Sequence, residues 1–338
     1  MTKFKGYASY LLYGKESRTS YGTPVACTKL FGKLTSINFT NRNNFLKQRG
    51  VGEGRNIQNA VYGKFDSAGS VDFKIIDGAF LLGVFGGSLT GGENVIDTTG
   101  TGDPYTHTIN ENDLIPSFSF EIGYEDLSQV GNQGLTDTFA GVMMNNCRIT
   151  ATQGAEVTVS IDCVAQKPKS GTTTQTVVSP SEEVYVFYQG AIKRNGTLIG
   201  FIDTFGLTIA NILIIYNSVG NRFINKPEEG VRDYTYTMTA KLDTDNYTNL
   251  KNDFYGNSIN EPSTGDGSIN NPVTSVPIDI ELLFKRGDNR EIKLTLNDAY
   301  IEDMNKPIGS PEELIVLTIN GFGTNGNCVY KDGVSAPF

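Results

Sequence analysis

Apolar and polar residues alternate with period two along several stretches of the chain, the pattern of a β-strand with one buried face. Residues 117–125 put Phe118, Phe120, Ile122 and Tyr124 on one side and Ser117, Ser119, Glu121 and Glu125 on the other. Residues 156–163 give Val157, Val159, Ile161 and Cys163 a common buried face. The second half repeats these pieces: 277–284 parallels 117–125, and 313–320 parallels 156–163. A related pair, Asn145–Ile149 and Asn297–Ile301, precedes each last strand.

Earlier segments also correspond. Asn44-Phe45-Leu46 leads to Val51-Gly52 and Arg55, and Asn211-Ile212-Leu213 leads to Val219-Gly220 and Arg222. The run from Val61 to Gly86 matches the run from Val231 to Gly256 without a gap. Each contains a strand (70–76 and 234–242) followed by a short segment of helical period. Phe80, Leu81, Val84 and Phe85 share a face in one, and Tyr247, Leu250, Phe254 and Tyr255 in the other, with Asp243 or Asp245 as cap. The reading is a mainly β chain of two tandem copies, each with one short α-helix. The first spans 1–168, the second 180–338, and a Thr/Ser/Pro-rich linker covers 169–179.

Composition agrees. Gly (38), Phe (19) and Tyr (16) are frequent and charged residues make up only 19%, which disfavours a helical bundle. The net charge of -9 speaks against a phosphate-gripping surface, which needs clustered Lys and Arg. Cys27, Cys147, Cys163 and Cys328 form no C-x-x-C pair and read as buried free thiols, although Cys147 and Cys163 could occupy neighbouring strands. No signal peptide is expected at the start, and the longest apolar run, 212–216, is far too short to span a bilayer. The chain reads as soluble and made in a cytoplasm.

Recognisable catalytic chemistry is missing. The single histidine, His107, alternates within a strand or loop and reads as structural; nothing resembles a nucleophile elbow or a P-loop. The glycine-rich stretch 50–55 opens no apolar helix, and the acids Asp243, Asp245 and Asp253 lack EF-hand spacing. No enzyme activity, metal or cofactor is expected.

The opening carries the most recognisable residues. Gly14-Lys15-Glu16 followed by Tyr21-Gly22-Thr23-Pro24 resembles the start of major tail tube proteins of tailed phages and archaeal viruses. The resemblance implies two tandem β-sandwich, barrel-forming domains, each of two antiparallel sheets flanked by one helix. It implies subunits joined edge to edge into rings that stack into a hollow tube, here a trimeric ring of pseudo-sixfold symmetry. It also implies a place in the virion tail after assembly in the host cytoplasm. The implied partners are other copies of the chain, a tape measure protein, a tail terminator and baseplate or tip proteins, with viral DNA passing through unbound.

Closure into a barrel removes strand edges that would otherwise pair at random. Each association costs about 4–15 kcal/mol of lost translation and rotation, so fusing copies in pairs makes a ring easier to close. Polar strand faces are candidates to line the bore: Ser119, Glu121 and Glu125 in the first copy, and Asp279, Glu281, Lys293, Thr295 and Asn297 in the second. The alternative is that these face outward. Candidates for ring stacking are the loops 50–63 and 218–232, with Val51, Glu53, Arg55, Val219, Asn221 and Arg222, and the arm 3–28. Competing readings are a capsid decoration, fibre or surface-layer subunit, or a carbohydrate-binding or hydrolytic β-sandwich. The absence of Trp speaks against the last.

Overall fold

A computed structural model describes residues 6, 9–52, 54–125, 133–175, 177, 182–256, 276–287, 289–308 and 314–338. In chain order the strands are β1 (Ser9–Lys15), β2 (Lys29–Leu30), β3 (Lys33–Gln48), β4 (Asn59–Lys74), β5 (Ser88–Thr90), β6 (Glu93–Val95), β7 (Asp97–Thr99), β8 (Tyr105–Ile109), β9 (Phe118–Glu125) and β10 (Gln133–Thr152). They continue as β11 (Thr158–Ala165), β12 (Lys167–Thr173), β13 (Gly190–Arg194), β14 (Thr197–Leu198), β15 (Ile202–Ala210), β16 (Asp233–Lys241), β17 (Ile278–Arg286), β18 (Arg290–Asn305), β19 (Val316–Gly323) and β20 (Asn325–Asp332). Two α-helices, α1 (Leu82–Phe85) and α2 (Thr244–Tyr255), follow β4 and β16.

One antiparallel sheet runs through the whole molecule in the order β3-β4-β11-β10-β15-β16-β19-β18. Its first four strands come from the first half and its last four from the second. The halves meet where β10 pairs with β15, from Asn146 opposite Ala210 to Thr152 opposite Thr204. The ladder is closed at its ends by the Asn211 amide donating to the Asn145 carbonyl (2.7 Å) and the Gln153 amide donating to the Asp203 carbonyl (2.8 Å).

The pairing order of the first half recurs in the second, with the same irregularities. A bulge between β3 and β4 at Leu34/Ser36 recurs between β15 and β16 at Ile202/Thr204. A bulge between β10 and β11 at Met144/Asn146 recurs between β18 and β19 at Ile301/Asp303. A third, between β9 and β10 at Phe139/Val142, recurs between β17 and β18 at Ile278/Ile280. In these third bulges Gly141 and Asp298 both take positive φ, 66° and 46°. A bulge inserts an unpaired residue and bends the strand, so it fixes register more firmly than composition can.

Matched through the bulges, Phe73 corresponds to Ala240. The ungapped match of Val61–Gly86 with Val231–Gly256 instead sets Phe73 against Asp243. Both runs end on the glycine after the helix, but α1 has 4 residues and α2 has 12, so the connections absorb the difference. The match of 313–320 with 156–163 is likewise one residue out, since Val159 corresponds to Leu317. Asn145 corresponds to Glu302 rather than to Asn297.

Period-two patterning explains the burial. Val71, Ile161, Cys147 and Ile209 stand side by side across four strands, each at most 1% exposed. Phe73, Val159, Ile149, Leu207 and Tyr236 form the next row. This face packs against two smaller sheets. One runs β12-β10-β9-β1-β2, using the first part of β10. The other runs β14-β13-β17-β18-β20-β8-β7 and takes β7 and β8 from the first half. The turn of α1 is wholly buried, and Gly83 lets the Met144 sulfur pack closely, since a Cβ would lie 2.6 Å from it.

The segment expected to be a linker begins later than its composition suggested. Lys167–Thr173 is β12, paired to β10 from Ala140 to Gln133. Lys167, Pro168 and Lys169 suit an edge strand and Thr172 and Thr173 favour extended backbone, and here the edge of β10 offered partners.

All four cysteines are free and buried. Cys147 and Cys163 do sit on neighbouring strands, β10 and β11, offset diagonally. Burial pushes the Cys27 and Cys147 thiols up to about 12, and raises Cys163 and Cys328 as well. Since the thiolate is the nucleophile, iodoacetamide at pH 8 should leave the folded protein unmodified. It should add four carbamidomethyl groups after unfolding in guanidinium, read by intact mass; rapid labelling of the native chain would contradict this packing.

Candidate functional site

The residues of the opening motif converge on one buried carboxylate. Glu16, 1% exposed, accepts four hydrogen bonds. Its Oε1 takes the Ser119 hydroxyl (2.8 Å) and the Gly141 amide (2.9 Å), and its Oε2 takes the Ser117 hydroxyl (2.8 Å) and the Gly22 amide (3.1 Å). These donors satisfy a charge that would otherwise be costly to bury.

The neighbouring motif residues serve the same closure. Gly14 lets the chain pass Ala26, whose carbonyl would lie 2.3 Å from a Cβ. Gly22 has φ 72° and lies against Gln166. The Tyr21 hydroxyl donates to the Gly141 carbonyl (3.0 Å). Lys15 donates to the Asn94 carbonyl (2.7 Å) and faces Glu93, whose carboxyl is held below its usual range by the Ser17 hydroxyl and the Arg18 amide. Thr23 and Pro24 are exposed. From Ser9 onward, therefore, the expected arm is a strand on β9 and a strap across it.

The strap also covers part of β9. Ser119 is fully buried; besides serving Glu16 it accepts the Val25 amide at 3.0 Å. It therefore lines no surface. Glu121 is half-buried and accepts the Tyr10 hydroxyl (2.8 Å) and the Gln175 side-chain amide (2.9 Å). Glu125 pairs opposite Gly134 at the strand end. In the second half, Glu281 bridges Lys193 (2.8 Å) and Lys293 (3.8 Å), and Thr295 lies between Glu281 and Asn327. The Asn297 side chain donates to Asn325 (2.6 Å), and exposed Asp279 accepts the Asp298 amide (3.3 Å). All eight lie on the two smaller sheets.

A larger polar surface escaped the sequence reading. The central sheet's second face carries neither helix nor sheet among the described residues. One row across it reads Ser36, Asp72, Ser160, Arg148, Thr208, Thr235, Phe322 and Tyr300. The adjacent row reads Asn38, Ser70, Asp162, Asn146, Ala210 and Asp233. A third ends with Thr152, Thr204, Thr239, Thr318 and Asn305. Asp66, Asp72, Asp162, Asp233 and Asp303 are interspersed with Lys33, Arg42, Lys74, Arg148 and Lys241, and Arg42 stands directly opposite Asp66, so acids and bases alternate rather than forming a basic stripe. The signal was present as period-two alternation, but assigning one face to one continuous surface needs the strand order.

The hairpin of β3 and β4 projects well beyond this sheet, pairing as far as Gln48 opposite Asn59. Val51 at its tip and Val219 in the second-half loop are fully exposed, and Arg55 and Asn221 are exposed; Glu53 lies outside the described residues. Arg222 is engaged within the chain. Its guanidinium lies 4.8 Å from the Tyr62 ring centre and near Phe65 and Phe223, while its carbonyl accepts the Phe65 amide at 2.8 Å. It fastens the 211–232 loop onto the hairpin within one chain.

His107 is fully buried, held between the Thr98 hydroxyl and Asp332 (both 2.9 Å) and stacked on Tyr330. Among the described residues no group of three His, Cys, Asp or Glu could hold a metal ion, and no helix is long and apolar enough to cross a membrane.

Glu16→Ala should destabilise the fold by about 3 kcal/mol or more, since four buried donors lose their acceptor. Glu16→Gln should cost about 1–2 kcal/mol, because its amide nitrogen cannot accept the Gly22 amide. Urea unfolding measures both; equal stability of all three proteins would refute the role given to Glu16.

A family model described as phage tail tube protein matches residues 6–321. The sequence matches no curated protein. Among solved structures, a TodX deltaS2S3 mutant monoaromatic hydrocarbon channel aligns over 80% of this chain and 66% of its own at 8% identity. Its TM-score of 0.10 gives no basis for comparison of fold. The family match spans nearly the whole chain, the strap motif included: the chain belongs to the phage tail tube protein family, a structural component of the virion tail.

Proposed function

We propose that this chain is a major tail tube subunit built of two tandem copies, 1–168 and 180–338, three chains closing a ring of pseudo-sixfold symmetry. Rings stack into a tube through which viral DNA leaves the particle. The observation that carries this reading is the central sheet: eight antiparallel strands, one face buried and, among the described residues, the other polar and uncovered, with an open edge at each end. A sheet with two open edges and a repeated pairing order is suited to joining its like until a barrel closes. The polar second face then lines the bore. Its Thr, Ser and Asn rows with dispersed Asp offer DNA hydration and few phosphate contacts, so the strand slides without being retained. Tape measure, terminator and baseplate proteins meet the ends of the tube, and no catalytic step belongs to the role.

Purified protein concentrated under physiological salt should form rings and stacked tubes in negative-stain micrographs. Asp72→Lys with Asp162→Lys should preserve tubes but make them co-sediment short duplex DNA at low salt and release it as salt rises. Tubes of this variant that ignore DNA would count against the bore assignment. Deleting Val51–Asn59 should leave rings without tubes; normal tubes would remove the hairpin from the stacking contact.

A further inference from the structure

Resting on the tube reading, we infer that adjacent chains are joined by the free edge of β18 pairing with β3 of the next copy, in the register that β10 and β15 use within one chain. The internal joint is thus the template for the external one, and the partner is a second copy of this protein.

The shared bulges supply the register. They make Asp303 the counterpart of Asn146, and Asn305 that of Arg148. They make Arg42 the counterpart of Ala210, and Thr40 that of Thr208. Inside the chain Asn146 faces Ala210 and Arg148 faces Thr208. Between chains, Asp303 therefore faces Arg42 and Asn305 faces Thr40. Opposite charges fall together at the first pair, and both are exposed in the single chain.

Two further features fit. Ile308 is 81% exposed, whereas its counterpart Ala151, seated against Phe205, is 1% exposed. The template sets Ile308 against Ile37, which lines an open groove beside β3 with Leu34, Phe39, Tyr124 and Phe139. The second feature is Pro307, counterpart of Thr150. Antiparallel ladders alternate bonded and non-bonded pairs. The bonds of Asn145 and Gln153 to the 203–211 strand put Thr150 at a non-bonded position. The joint therefore asks nothing of the amide that proline lacks.

The test pairs Thr40→Cys with Asn305→Cys. Non-bonded antiparallel partners have Cα atoms about 4.5 Å apart, within disulfide reach. Oxidised assemblies should run on non-reducing gels as a covalent ladder ending at the ring, while either single variant and the displaced pair Thr40→Cys with Asp303→Cys should not. Micrographs of the same samples separate the two claims. Rings without this crosslink, or with equal crosslinking by the displaced pair, overturn the register and leave the tube reading intact. Wild-type protein that stays monomeric when concentrated overturns both. As a second measurement, Asp303→Arg and Arg42→Asp should each raise the concentration needed for assembly several-fold, and the double exchange should restore it; failure of restoration also overturns the register.

Discussion

The structure depends on one ladder, the pairing of β10 with β15. Without it the central sheet would be two four-stranded sheets, each with bare edges. With it, eight strands share one buried face and one polar face, and the row from Val71 through Ile161 and Cys147 to Ile209 crosses the joint without interruption. Backbone hydrogen bonds alone would make such a joint interchangeable with slipped alternatives. Side-chain rows prevent that, because a one-residue slip would turn Cys147, Ile149 and Ala151 to the polar side. The joint is reinforced at its flank, where Arg232 bridges Glu111 and Asn211, and Glu229 accepts the Ile115 amide.

The N-terminal strap solves a different problem. The smaller sheet containing β9 has a Ser117/Ser119 face that alternation marks as polar, yet the chain covers it. A buried carboxylate makes this tolerable: Glu16 takes the two serine hydroxyls and two amides that the cover would otherwise leave unpaired. The glycines of the motif are explained by close approach and by positive φ, not by flexibility. A motif that reads as a family signature is, physically, a clasp between the start of the chain, β9 and the Gly141 bulge of β10.

Membership in the tail tube family and the sheet's geometry point the same way. A tube subunit must leave edges open for its neighbours while remaining closed to everything else. Among the described residues the open edges are β3 and the end of β18, with a hydroxyl- and amide-rich surface between them.

Sequence by itself determined that the chain is β-rich, where β9, β11, β17 and most of β19 run, and which alternating residues of β11 and, Ser119 aside, of β9 are buried; it suggested that the two halves repeat an order of strands, helix and strands. It also supplied the strap motif. These are local properties, carried by period-two patterning and by short runs such as 14–24. What only the tertiary structure decided was register and sidedness. The helices differ in length, so equal spacing to a glycine misplaced Phe73 against Asp243, and bulges at residues of no compositional distinction corrected it. Ser119, Glu121 and Asp72 are equally polar in sequence. That a strap covers the first, that side chains from elsewhere engage the second, and that the third stands on a continuous open face follows from which strands become neighbours, a non-local outcome of packing the whole chain.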